Sequence, residues 1–201
     1  SDIADRIIEL LAGAMQELVI GDQLYLSTDI GPVIDGGALE ELQAHAEKME
    51  KEFKFIARAP CQPSRTGHYM APCAFEIDSI RSLEKEVFGP ILHVVRYPSD
   101  QLDRVIDEIN GTNYGLTLGI HSRIGRTQQY IVDRVQTGNC YVNRNMIGAV
   151  VGVQPFGGEK LSGTGPKAGG PHYMLRFATE RTLTVNTAAV GGNANLLELG
   201  D

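Results

Sequence analysis

The sequence predicts an α/β fold built on a parallel sheet, and three observations carry that prediction. From Glu86 onward, short apolar runs alternate with segments of helical period: ILHVVRY (91–97), a helix to Asn110, LTLGI (116–120), a second helix, then NCYVN (139–143). The order strand, helix, strand, helix, strand at these lengths implies crossover connections, which join parallel strands. The 201 residues, 42% hydrophobic and 21% charged, suit a globular chain with a sizeable buried core.

Each element has its own signal. Ile3, Ile7, Leu10, Leu11, Met15 and Leu18 recur at helical spacing and predict a helix that stops near Gly21. Leu42, Ala46 and Met49 predict a more polar helix from about Leu39 to Glu52. FKFIA (53–57) and HYMAPCAFEI (68–77) read as strands, with PCQPSRTG between them as a loop. ILHVVRY is nearly continuous in apolar character, as expected of a strand buried on both faces. Leu102, Val105, Ile106 and Ile109 line one helix, and Ile124, Gln128, Ile131 and Val135 line the next. RTLTVNT (181–187) alternates like a pairing strand, and AAVGGNANLLELGD follows as a tail.

Composition narrows the function. A formal net charge of −7 argues against a general nucleic-acid surface, which needs clustered Lys and Arg. No apolar run approaches the roughly 20 residues of a membrane span, and the acidic amphipathic start is unlike a signal peptide. Cys61, Cys73 and Cys140 show no CxxC spacing, which is simplest in a reducing cytoplasm. His68, His93, His121 and His172 show no metal-site spacing.

The stretch QPFGGEKLSGTGPKAGG (154–170) holds six glycines in a region of weak periodicity, where a long loop is expected to be functional. A Walker-type loop fails, because Thr164 stands where the lysine belongs. Gly163, Gly165 and Ala168 satisfy the dinucleotide pattern, but no strand precedes them and Pro166 interrupts the turn. A flexible linker is a poor reading beside the rigid Pro155-Phe156 pair.

PFGGEKLSG, EKEVFGPILHVVRY (84–97), NYGLTLGIHSR (113–123) and GNCYVN (138–143) occur in the order found in aldehyde dehydrogenases, which the whole chain resembles. The wording of 143–173 is similar to the branch acting on glutamate semialdehyde (Δ1-pyrroline-5-carboxylate). Its YVNRNM segment and GGNANLLELG tail are most similar to a bacterial protein that joins FAD-dependent proline dehydrogenase and this dehydrogenase in one chain. The resemblance implies an NAD-dependent enzyme oxidising L-glutamate-γ-semialdehyde to glutamate through a cysteine thioester. It assigns Glu86 to the nicotinamide ribose hydroxyls and Phe88 to packing beside that ring. It assigns the backbone of Gly148 and Ala149 to the substrate carboxylate, and Phe156 to the substrate's aliphatic part. Relatives often carry Ser where Ala149 stands, so only backbone donors are expected there.

The resemblance places the nucleophile in a G-Q-R-C-type loop, which none of PCQ, PCA or GNCY matches. The general-base glutamate and the nucleotide turn are also expected upstream. The chain therefore reads as a C-terminal catalytic-domain fragment, inactive alone. Residues 1–180 form the catalytic part, and residues 181–201 a strand and tail for oligomer or interdomain contact. A homo-oligomer is implied for the parent, with DNA binding confined to a distant N-terminal module if present. Arg144, Lys160 and Lys167 are expected to be solvated, Arg144 being the one nearest the substrate loop. Two alternatives stay open: a dehydrogenase for another semialdehyde, and a non-catalytic structural module.

Overall fold

The computed structural model describes residues 3–61, 67–150, 152–186 and 189. Helix α1 (Ala4–Gln16) and helix α2 (Gly36–Glu52) precede strand β1 (Lys54–Arg58) and strand β2 (Cys73–Ile77). Asp35 caps α2 by accepting the Ala38 N–H at 2.8 Å, and the helix ends where Phe53 turns extended. Strand β2 pairs antiparallel with β1 and parallel with β3 (Ile91–Val95).

The alternation of side chains along β2 separates two layers of core. Cys73, Phe75 and Ile77 pack with Leu42, Ala46 and Met49 of α2. Ala74 packs with Ala57 of β1 and Met15 of α1. The sheet thus lies between the two helices, which explains why CAFEI has one polar residue. That residue, Glu76, accepts from Lys54 Nζ at 3.2 Å and lies 2.6 Å from Arg96 Nε. Arg96 Nη1 in turn donates to Asp5 Oδ1 of α1 at 2.6 Å, tying the first helix to the end of β3.

The second half holds α3 (Leu102–Asn110), β4 (Tyr114–Gly115), β5 (Thr117–Ile120), α4 (Gly125–Val132), β6 (Asn139–Val142) and β7 (Glu159–Lys160). Strands β5 and β6 are parallel, as their connection through α4 predicts. Strands β4 and β7 pair antiparallel, bringing the glycine-rich stretch back against the residues after α3.

The structure departs from several sequence expectations, one being that only Cys73–Ile77 of the predicted strand 68–77 form β2. The ladder partner of β3 is β2, and β3 is not joined to β5, so three parallel strands in a row do not form among the described residues. Among the described residues β3 is an edge strand, and Leu92 is 46% exposed, so ILHVVRY is not buried on both faces. The apolar set of α1 divides: Leu11 and Met15 turn inward with Ala12, whereas Ile3, Ile7 and Leu10 face outward. Residues 181–186 form no ladder, because no described edge pairs with them, and Leu183 and Val185 stay exposed. Residues 62–66 of the predicted loop and nearly all of the predicted tail lie outside the described residues.

Candidate nucleotide and aldehyde site

The turn before β3 is organised by what it buries. Val87 packs against the α2-side core with Leu83 and Ile91, while its neighbours Glu86 and Phe88 point outward. The Gly89 N–H bonds the Val87 carbonyl at 3.0 Å, and Pro90 receives the Cys73 N–H at 3.1 Å, fastening the turn to β2. Gly89 lies so close to α2 that an added Cβ would stand 2.4 Å from Leu42 Cδ1. Fixed in this way, Phe88 presents its ring 86% exposed, and the Glu86 carboxylate has no partner among the described residues. A carboxylate with its lone pairs available beside an uncovered aromatic fits a diol-bearing ring such as a ribosyl nicotinamide.

The loop after β6 holds the second group. Asn143, in the left-handed region at φ 54°, donates to the Ser122 carbonyl at 2.9 Å and accepts the Ser122 N–H at 3.0 Å. Tyr141, buried on β6, donates its hydroxyl to the Gly148 carbonyl at 3.2 Å. Gly148 sits at φ 66°, where glycine carries no steric penalty. Val150 is held from the far side, its N–H bonding Gln154 Oε1 at 3.1 Å. The N–H groups of Gly148 and Ala149 are left without an acceptor among the described residues. The pinned loop thus carries two backbone donors that could donate to an anion.

Phe156, half-buried, exchanges both backbone hydrogen bonds with Ala168, at 3.0 and 2.9 Å. The glycine-rich stretch is therefore a loop closed at its base, neither a linker nor a phosphate loop of the Walker kind. Its front is bolted to β6 by Asn139, a buried side chain that donates to the Pro155 carbonyl at 3.0 Å and accepts the Gly157 N–H at 3.2 Å. Gly138 and Gly157 touch backbone to backbone, and a Cβ on Gly138 would stand 1.9 Å from the Gly157 carbonyl oxygen. No other residue fits that approach.

Two lysines depart from the expected solvated state. Lys160, itself at φ 57°, donates to the carbonyls of Asn110 at 2.6 Å and Thr112 at 3.0 Å, closing the C-terminal end of α3. Lys167 donates to the Gly138 carbonyl and reaches Asn139 Oδ1 at 3.4 Å. Arg144 is exposed and lies over the Tyr141 ring, 4.9 Å from its centroid, with its Nε on the Asn145 carbonyl at 3.2 Å.

Tyr141 and Asn139, neighbours on one face of β6, thus connect the Gly148–Ala149 loop to the base of the Phe156 loop. Among the described residues, no hydrogen bond, ion pair or ring contact joins these to Glu86 and Phe88, which belong to the other sheet. Sequence reading missed Asn139; a lone amide in the apolar run NCYVN is the signal that could have found it. It also missed a pair between layers, where His45 Nε2 and His93 Nε2 stand 2.9 Å apart. Their ring centroids are 5.1 Å apart, so the two nitrogens meet nearly head-on and one donates its N–H to the other. Burial lowers both pKa values, that of His93 to about 4. Cys73 is buried and its thiol is pushed up by that burial, which does not favour a thiolate there, while Cys140 Sγ lies 3.2 Å from Thr137 Oγ1.

Residues 1–183 match the aldehyde dehydrogenase family, and the chain belongs to that family. It is 48% identical over 186 residues to the bifunctional protein PutA of Escherichia coli (strain K12), covering 90% of this chain and 14% of that protein. It is 32% identical over 185 residues to the 1-pyrroline-5-carboxylate dehydrogenase of Geobacillus sp. (strain WCH70), covering 91% of this chain and 35% of that one. A crystal structure of Bradyrhizobium japonicum proline utilization A superposes with a TM-score of 0.88 at 58% identity, over 94% of this chain and 19% of that one. The 1-pyrroline-5-carboxylate dehydrogenase from Thermus with bound NAD gives 0.78 at 30% identity, over 87% and 34%. The chain thus spans about a seventh of the PutA length and about a third of the single-function relatives.

Proposed function

We propose that this chain supplies the nicotinamide-ribose contact and the substrate-carboxylate wall of an NAD-dependent L-glutamate-γ-semialdehyde dehydrogenase acting in proline catabolism. The observation that carries the reading is the pair of unspent N–H donors at Gly148 and Ala149, held in place by the Tyr141 hydroxyl. The similarity to PutA supports a parent that also bears an FAD-dependent proline dehydrogenase half, and it favours a homo-oligomeric, cytoplasmic enzyme. No helix among the described residues is long and apolar enough to cross a membrane.

In this reading each residue binds or orients. The Glu86 carboxylate accepts from the two ribose hydroxyls, and Phe88 lies against the ring so that one face is presented to the aldehyde. NAD supplies the hydride acceptor when bound. The Gly148 and Ala149 N–H groups hold the α-carboxylate, which fixes the distance from that anchor to the aldehyde carbon. Phe156 covers the methylenes between them and excludes water. In this reading neither Cys73 nor Cys140 supplies the reactive thiolate.

The test is steady-state kinetics of the complete enzyme. Gly148→Val should raise KM for glutamate semialdehyde about tenfold or more, the worth of hydrogen bonds to a charged group, and leave KM for NAD unchanged. Oxidation of a simple aliphatic aldehyde should be unaffected. An unchanged KM for the semialdehyde, or equal losses on both aldehydes, removes the carboxylate anchor.

A further inference from the structure

The back of the glycine-rich loop and the 3₁₀ turn Tyr173–Phe177 border an open depression of about 380 Å³ that the aldehyde reading does not use. Its lining includes Gly158, Ser162, Thr164, Gly165 and Tyr173, and one charged side chain, Arg176. No carboxylate lines it. An ideal Cβ on Gly165 would lie 2.8 Å from Arg176 Cζ, 2.8 Å from Nη1 and 3.0 Å from Nη2. Three nearly equal distances mean that the guanidinium lies flat on the Gly165 backbone, occupying the space a side chain would take. Its face is thus covered and its N–H edges remain available.

Those edges are unspent: among the described residues Arg176 has no hydrogen-bond or ion-pair partner, and neither do the Thr164 hydroxyl, the Tyr173 hydroxyl or the Gly165 N–H. These donors are solvent-exposed, and an acceptor with several oxygens could take the place of the water on the guanidinium and its hydroxyl and N–H neighbours together. Glycine backbone allows that acceptor close approach.

We infer that the Gly158–Gly165 loop and Arg176 form a binding site for a compact oxyanion, with phosphate as its best-fitting form. The guanidinium takes two oxygens in a fork, and the Thr164 and Gly165 donors meet a third. A carboxylate shares the fork but lacks the third oxygen. The site depends on Gly165 being glycine, since any side chain there displaces Arg176. Because the atom it displaces is the end of a flexible side chain, Gly165→Ala moves the arginine at little cost to the fold.

The experiment titrates the full chain with inorganic phosphate and, in a second arm, with acetate, following the Arg176 Nε–Hε resonance by NMR at constant ionic strength. Circular dichroism verifies that each variant is folded. Wild type should show a saturable shift with phosphate in the millimolar range and a weaker one with acetate. Arg176→Gln and Gly165→Ala should each weaken phosphate binding about tenfold or more, followed through the Gly163 and Thr164 amides, while Arg176→Lys weakens it less. Equal responses to both anions would reassign the site to carboxylates in general and overturn the phosphate preference. Absence of saturation in wild type, or undiminished binding in folded Arg176→Gln, would overturn the site itself.

Discussion

The sheet of β1, β2 and β3 and the loop system around β6 solve the problem of holding backbone in place by opposite means. The first is apolar: Phe75, Met49 and Cys73 are completely enclosed between helix and strand. The second is polar: Asn139, Tyr141, Lys160 and Lys167 fasten carbonyls and N–H groups of neighbouring segments one by one. Apolar packing is non-directional and tolerates small shifts, whereas a hydrogen bond fixes both distance and direction. A loop that must present two N–H groups to an anion needs the second kind of support. The sheet needs only to exist for the Glu86–Phe88 turn to be carried on it.

The comparison breaks most visibly at Phe75, which has no exposed surface. Phe75→Ala should cost about 3–5 kcal/mol in denaturant unfolding. A loss under about 1 kcal/mol would mean that α2 is not seated on the sheet as described. Asn139→Ala should cost less, about 1–3 kcal/mol, because it strands the Gly157 N–H and the Pro155 carbonyl rather than emptying a core. In the complete enzyme its effect should concentrate on KM for the aldehyde. If Asn139→Ala lost stability with no change in substrate kinetics, the polar half would be only scaffolding.

A further effect is one of pH. His45 and His93 have folded pKa values below the ordinary 6.5, so the native state resists a proton that the unfolded chain accepts. More protons bound in the unfolded state means stability that rises with pH. The contribution is present above pH 6.5 and is lost as pH falls from there toward about 4. Lys48 and Lys85 beside the pair act in the same direction as burial. Thermal melts of wild type and His93→Gln should converge on acidification across that window. A wild-type profile as flat as that of the variant would show that the pair is protonated at no cost.

How much of this could be read from the sequence follows the same division. The helices and the strands β1, β2, β3, β5 and β6 were legible in outline, because each depends on the period of its own residues, whereas the two-residue β4 and β7 were not. Strand pairing was not: β3 joins β2 rather than β5, and RTLTVNT alternates correctly yet meets no edge through residue 186. Pairing depends on what lies across from a strand, which no local window contains. Glu86, Phe88, Gly148, Ala149 and Phe156 were singled out through ordered motifs, which local sequence contains. The His45–His93 pair spans 48 residues and leaves no local pattern. Lys160 and Lys167 looked like loop charges because their acceptors are backbone carbonyls, which every residue has.

The reciprocal pair of hydrogen bonds between Phe156 and Ala168 has a consequence for motion as well as for shape. A loop clasped at its base by two bonds between the same two residues cannot fray from one end. Its excursions are cooperative openings in which both amides lose protection together. The segment carrying Phe156 and the floor beneath Arg176 share this loop, so breaking the clasp would loosen both together.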